Sequence, residues 1–256
     1  MLGDGRLLRV RAGWYASPET PPDVISAVRA GGSVTCGTAL RMHRVWTVAG
    51  PTHYRIPPHG HLRGRPGIVH HLSGRAVDGV DDLASALGCA ARCLPRDHLV
   101  CAIDSALHQQ LISPSQLHIA LDSTRGRRML ALVDGRAESG LETLARLRLR
   151  GRGLRVRAQV RIAGVGRVDL VVGDRLVIEL DGDEWHSTAQ QREHDRRRDA
   201  ALVALGYLVM RAGYHRVMAD WEWFEREVLA VVRRREHRWR AVHRRGQCTD
   251  ADERAR

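Results

Sequence analysis

Two short apolar runs in the second half of the chain, VDLVV (168–172) and LVIELD (176–181), carry carboxylates inside stretches that read as buried strands. Side chains alternate faces along a strand, so Glu179 and Asp181 share one face while Ile178 and Leu180 take the other. Burying one unpaired carboxylate is costly, and a second beside it is worse, because like charges raise each other's pKa. If the two runs pair as an antiparallel hairpin through the turn at Gly173-Asp174, Asp169 comes near the same end. Something positive must then offset three converging carboxylates. A hard divalent cation, Mg²⁺ or Mn²⁺, suits oxygen ligands of this kind. The competing reading is that the acids form structural salt bridges with arginines.

Arginine is abundant. The 256 residues hold 41 basic side chains and no lysine against 29 acidic ones, a formal net charge of +12. Such an excess favours polyanionic partners, nucleic acid above all, and the guanidinium fork suits phosphate oxygens. Hydrophobic residues make up 43% and aromatics only 4%, so a packed core built of Val, Leu, Ile and Ala is expected. No apolar run is long enough to cross a membrane, and MLGDGRLLRVRAGWY has neither an apolar signal core nor a small-residue cleavage site. The reading is a cytoplasmic protein with no membrane partner; a homodimer is compatible with it. Five cysteines (36, 89, 93, 101 and 248) argue against a disulfide framework. Cys89, Cys93 and Cys101 with His98 do not follow a usual zinc spacing, so they read as small buried residues. His59, His61, His70 and His71 read as solvated histidines of a Pro/Gly-rich loop.

The organisation falls into four stretches. In residues 1–80, a polar arm precedes a helix opened by Pro21-Pro22, a glycine stop at Gly31-Gly32, a second helix near TCGTALRMH and an extended THYRIPP. That order suggests a winged helix. Residues 81–135 read as a helical connector, with Ser113 capping a helix opened by Pro114. Residues 136–240 read as helix, three strands, helix, strand, helix (αβββαβα): a mixed α/β (α+β) sheet flanked by helices. Residues 241–256 form a polar tail.

The run from Glu142 through VDL, VIELDG, Trp185-His186, HDRRRD and GYLVMR resembles the DUF559 group of endonuclease-like domains. These are relatives of the very-short-patch-repair endonucleases in the PD-(D/E)XK nuclease superfamily. The resemblance covers about residues 136–235 and implies a restriction-endonuclease-like fold. It implies that Glu142 is the helix glutamate organising the metal site, Asp169 the strand aspartate that ligates metal, and Glu179 the second ligand. The motif's lysine falls at Asp181, and His186 is the candidate substitute for it. Arg211 and the Asp195/Arg198/Asp199 group would brace the site or meet phosphate, together with Arg192 and Arg196. Residues 33–46 and 92–112 are similar to the AbiEi-type antitoxin-like region found ahead of such domains.

Two function classes follow. One is a Mg²⁺- or Mn²⁺-dependent endonuclease hydrolysing phosphodiester bonds, with DNA the expected substrate and Glu142, Asp169, Glu179, Asp181 and His186 as its chemistry. The other is a non-catalytic, antitoxin-like DNA-binding regulator that uses a nuclease fold as a platform, with Arg41 and Arg44 near the second helix contacting DNA. The tryptophans at 185, 221, 223 and 239 read as packing residues before base-stacking ones.

Overall fold

Alternation in LRVRAQVRI, VDLVV and LVIELD, punctuated by glycine turns, leaves the second half of the chain little choice but a meander of strands. The computed structural model describes residues 7–62, 65–72, 78–181 and 189–240. The chain divides into two units, Met1–Gly135 and Arg136–Arg256.

In the first unit, β1 (Leu8–Arg11) and β2 (Trp14–Ala16) form an antiparallel pair. This replaces part of the expected polar arm. Then come α1 (Pro22–Arg29), β3 (Ser33–Val34), α2 (Cys36–Met42), β4 (His53–Ile56) and β5 (Ile68–His71). The sheet order is β3-β4-β5, with β3 antiparallel and β5 parallel to β4. A wing would instead be an antiparallel hairpin, so the winged-helix expectation does not describe this sheet. Four helices follow: α3 (Leu83–Cys93), α4 (Arg96–His108), α5 (Pro114–Ala120) and α6 (Thr124–Leu130). Ser113 caps α5 in a reciprocal capping box with Gln116.

A buried ion pair organises the first unit's sheet. Asp81 is 1% exposed. Its carboxylate accepts from Arg55 Nε (3.0 and 2.9 Å), Arg55 Nη2 (2.5 Å) and Ser33 Oγ (2.5 Å). One loop expectation is corrected here. His59 and His61 are exposed in a connection, but His70 and His71 lie on β5, and His70 is half-buried with its ring stacked on buried His53 at 5.5 Å between centroids. Parallel pairing with β4 turns a Pro/Gly-rich sequence into an edge strand.

The second unit runs α7 (Gly140–Gly151), β6 (Val156–Ile162), β7 (Gly166–Val172), β8 (Leu176–Asp181), α8 (Ala189–Ala204), β9 (Leu208–Gly213), α9 (Tyr214–Met218) and α10 (Trp221–Arg233). Its sheet order is β6-β7-β8-β9. The first three strands are antiparallel, and β9 returns parallel to β8 after the α8 crossover. This is a mixed α+β sheet of restriction-endonuclease-like architecture. Val168, Val171, Val177 and Leu202 form one buried cluster, which seats α8 on the sheet. Trp221 and Trp239 pack within the unit. Trp221 lies against Phe224 and beneath Arg148, and Trp239 meets Tyr207 edge-on. Trp223 is exposed with Arg216 over its ring. Trp185 lies outside the described residues, as do Cys248 and the tail. No described helix is long and apolar enough to cross a membrane.

Candidate active site

The β7–β8 hairpin sets two carboxylates opposite each other. Leu170 pairs with Ile178 in the antiparallel register, so the next rung brings Asp169 against Glu179. The backbone locks them. Asp169 N–H donates to Glu179 Oε2 at 3.3 Å, and Leu180 N–H donates to Asp169 Oδ2 at 2.8 Å. Glu179 is 3% exposed. Burial first, and the Asp169 charge second, push its carboxyl up to about 7. Burial also raises Asp169, against hydrogen bonds from Leu180 and Glu179 and the Arg198 charge.

Glu142 joins them from a helix. Ser139 caps α7 by accepting from Glu142 N–H at 3.2 Å, which fixes Glu142 in the first turn. Its Oε2 accepts from Glu138 N–H (3.1 Å) and from Gln159 Nε2 (2.6 Å). Glu142 is 4% exposed; burial raises its pKa, and the nearby Asp169 charge adds to the effect. Gln159 is the functional residue the sequence did not reveal. It sits at φ +52, in the left-handed region, where β6 skips a rung between Ala158 and Val160. Non-glycine residues rarely adopt this conformation. The β6–β7 register runs on unshifted past it, and the Gln159 side-chain amide donates to Glu142.

Arginines supply the positive charge. Arg198, on α8, brings Nη2 to 2.9 Å from Glu179 Oε1, yet no N–H is aligned on that buried oxygen, which makes no hydrogen bond. Arg198 also donates to Arg167 O. Asp181 stands apart from the other acids. Half-exposed at the end of β8, it accepts from Arg211 Nη1 at 2.9 and 3.1 Å. The remaining edge of Arg211 donates to both Asp199 oxygens at 2.9 and 3.0 Å. The expected three-acid group on β7 and β8 is therefore two, Asp169 and Glu179, with Glu142 as the third from α7. Asp181 belongs to an Asp181–Arg211–Asp199 bracket. The oxygens of Glu142, Asp169 and Glu179 are neighbours but do not all fall within 4.8 Å of one another.

The other candidates divide. Arg196 is exposed and 3.9 Å from Glu193. Arg41 and Arg44 are exposed on and after α2, in the first unit. Arg198 and Arg211 are engaged with carboxylates rather than open to solvent. His186, the side chain of Arg192, and Asp181's motif neighbour Gly182 lie outside the described residues.

A mixed sheet with a buried and a half-buried acid opposed on its central hairpin and a buried helix glutamate beside them defines a nuclease-like domain. In agreement, the restriction-endonuclease-like family model REase_MTES_1575 matches residues 142–232. The chain is also 32% identical over 233 residues to two proteins of Mycobacterium tuberculosis, Uncharacterized protein MT2308 (strain CDC 1551 / Oshkosh) and Uncharacterized protein Rv2248 (strain ATCC 25618 / H37Rv). The matches cover 81% of this chain and 85% of each relative. The chain belongs to the same family as these two mycobacterial proteins. No solved structure matches it at a significant level.

Proposed function

We propose that the second unit is a divalent-metal-dependent endonuclease that hydrolyses phosphodiester bonds in DNA. The observation that carries this reading is the Asp169–Glu179 pair. Buried Glu179 faces half-buried Asp169, each with a raised pKa, and Glu179 Oε1 is left without a hydrogen bond. That donor set fits a hard cation, with Asp169 and Glu179 as ligands and Glu142 held beside them by Gln159. Mg²⁺ or Mn²⁺ bound there would neutralise the acids and activate water toward the phosphodiester. The chain's own residues orient and balance the site. Leu180 and Asp169 N–H groups fix the carboxylate rotamers, and Arg198 offsets the charge of Glu179. Arg211 keeps Asp181 turned toward α8. Exposed arginines such as Arg196 offer contacts to backbone phosphates, so binding should weaken steeply with salt.

The test is cleavage of plasmid and oligonucleotide DNA with Mg²⁺ or Mn²⁺. Nicking or cutting that stops when the metal is withheld supports the reading, and a wild-type chain without metal-dependent cleavage contradicts it. Gln159→Leu should lower the rate by roughly 10–100-fold while the fold persists, because partners that orient a ligand typically count for that much. A metal titration of the cleavage rate checks it.

Stability should report the same site. Glu179 has an ordinary pKa of 4.5 and a folded one of about 7. Between these values the folded unit holds a proton that the unfolded chain has released. Its contribution is present below about pH 4.5 and is lost as pH rises through 7. In metal-free buffer the melting temperature should therefore fall across that window, more in the wild type than in Glu179→Gln, and Mg²⁺ should flatten the slope.

A second reading draws on the guanidinium groups. Arg198 beside Glu179, and Arg211 on Asp181 where the motif has lysine, would suit a non-catalytic platform that binds DNA for regulation. Under that reading calorimetry detects no Mg²⁺ binding, and Asp169→Ala leaves DNA affinity unchanged.

A further inference from the structure

In the first unit, four side chains from four elements converge. Cys36 opens α2, His53 opens β4, His70 lies on β5 and Cys93 ends α3. One ligand atom from each lies within 4.8 Å of all the others, the one such His/Cys/Asp/Glu group among the described residues. His53 Nδ1 is 3.1 Å from His70 Nε2 and 3.6 Å from Cys93 Sγ. Cys36 and His53 are 0% and 3% exposed.

We infer that Cys36, His53, His70 and Cys93 form a structural zinc site. Tetrahedral zinc with bonds of about 2.0 Å to nitrogen and about 2.3 Å to sulfur puts two nitrogens about 3.3 Å apart and a nitrogen and a sulfur about 3.5 Å apart. The observed spacings are close to both. Two thiolates and two neutral imidazoles also cancel the ion's charge, so the site can be buried without a stranded charge. On binding, Cys36 and Cys93 release their thiol protons to solvent. His53 coordinates through Nδ1 and His70 through Nε2, both as neutral rings.

Packing alone leaves several features without a reason. Cys36 sits at φ +49, a left-handed conformation that glycine adopts at no steric cost. The strain is explicable if the sulfur has to point at a fixed centre. Two ring nitrogens, His53 Nδ1 and His70 Nε2, face each other at 3.1 Å. An entry path exists, because a cavity of about 240 Å³ is lined by Gly37, Arg41, His53, Cys93 and His98. Cys89, buried, sits one helical turn before Cys93 on α3. The ion would staple the four-residue edge strand β5 to α2, β4 and α3. Four protein ligands close the shell, which marks a structural site rather than a catalytic one.

The experiment is metal analysis of the full-length chain purified without chelator, followed by Co²⁺ exchange. About one zinc per chain is expected, and the Co²⁺ form should show thiolate charge-transfer and intense tetrahedral d–d bands. Cys93→Ser and His70→Asn should lose the zinc and the bands. Cys101→Ser, Asp169→Asn and Glu179→Gln should keep them, which separates this site from the acidic one. Stripping the metal from the wild type should lower its melting temperature, and zinc should restore it. Because His70 and Cys93 are only partly buried, these variants test ligation even if Cys36→Ser fails to fold. A chain that takes up neither Zn²⁺ nor Co²⁺ overturns the assignment. So does zinc content unchanged in both Cys93→Ser and His70→Asn, or a disulfide joining Cys36 to Cys89 or Cys93 in the freshly purified protein.

Discussion

Asp169→Ala is expected to reduce metal-dependent DNA cleavage by about 10³-fold or more, since a catalytic cation contributes several kcal/mol and each 1.36 kcal/mol is tenfold in rate. Asp169 lies opposite Glu179 at the centre of the second unit's sheet, and its Oδ2 is already committed to Leu180 N–H. Its loss removes one side of the proposed ligand pair. The fold should survive the change, because removing Asp169 also removes the like charge that raises Glu179. Unchanged or increased thermal stability alongside lost cleavage is therefore the expected signature. Single-turnover cleavage and a melting curve on the same preparation check both halves.

Arg55→Ala should be the most destabilising single change in the first unit, by about 3–5 kcal/mol, because it strands a buried charge. Asp81 is 1% exposed and takes three hydrogen bonds from Arg55, leaving Ser33 Oγ as its remaining side-chain donor among the described residues. The neighbouring backbone depends on the same place. Asp81 N–H donates to Val34 O, and Asp81 O meets His43 Nε2 at 2.7 Å. Losing Arg55 should therefore loosen the β3–β4 pairing and the start of α3 together. Denaturant midpoints measure the loss. Adding Asp81→Asn should recover part of it, because the residual cost lies in the unpaired carboxylate rather than in Arg55 itself.

How much of this was legible in the sequence depends on whether the controlling interaction is local. Period-two alternation and the Gly173-Asp174 turn gave β6, β7 and β8, and the hairpin register then follows almost by itself, bringing Asp169 to Glu179. Same-face geometry put Asp181 with Glu179 as well. The parallel return of β9 altered its role, since it sets Arg211 directly beside Glu179 in register and lets the guanidinium span Asp181 and Asp199. No pattern within β8 announces a partner 30 residues later. Gln159 was illegible for a related reason: a left-handed backbone at a non-glycine residue leaves no compositional mark.

The cysteines and histidines show the same limit more sharply. Zinc motifs are recognised when ligands come in close pairs, and here every ligand comes from a different element. His70 sits in GRPGIVHHLSG, which has the composition of a loop and becomes an edge strand only through parallel pairing with β4. His53 had no sequence signal, because a single histidine at the start of a short strand looks like any other.

The most direct measurement of the central claim is anomalous diffraction from crystals of the chain soaked in Mn²⁺. The account predicts a Mn²⁺ peak in contact with Asp169 and Glu179, with Glu142 alongside and Arg198 drawn off Glu179. Saturating Mn²⁺ with no peak there, and Arg198 still against Glu179 Oε1, would contradict it.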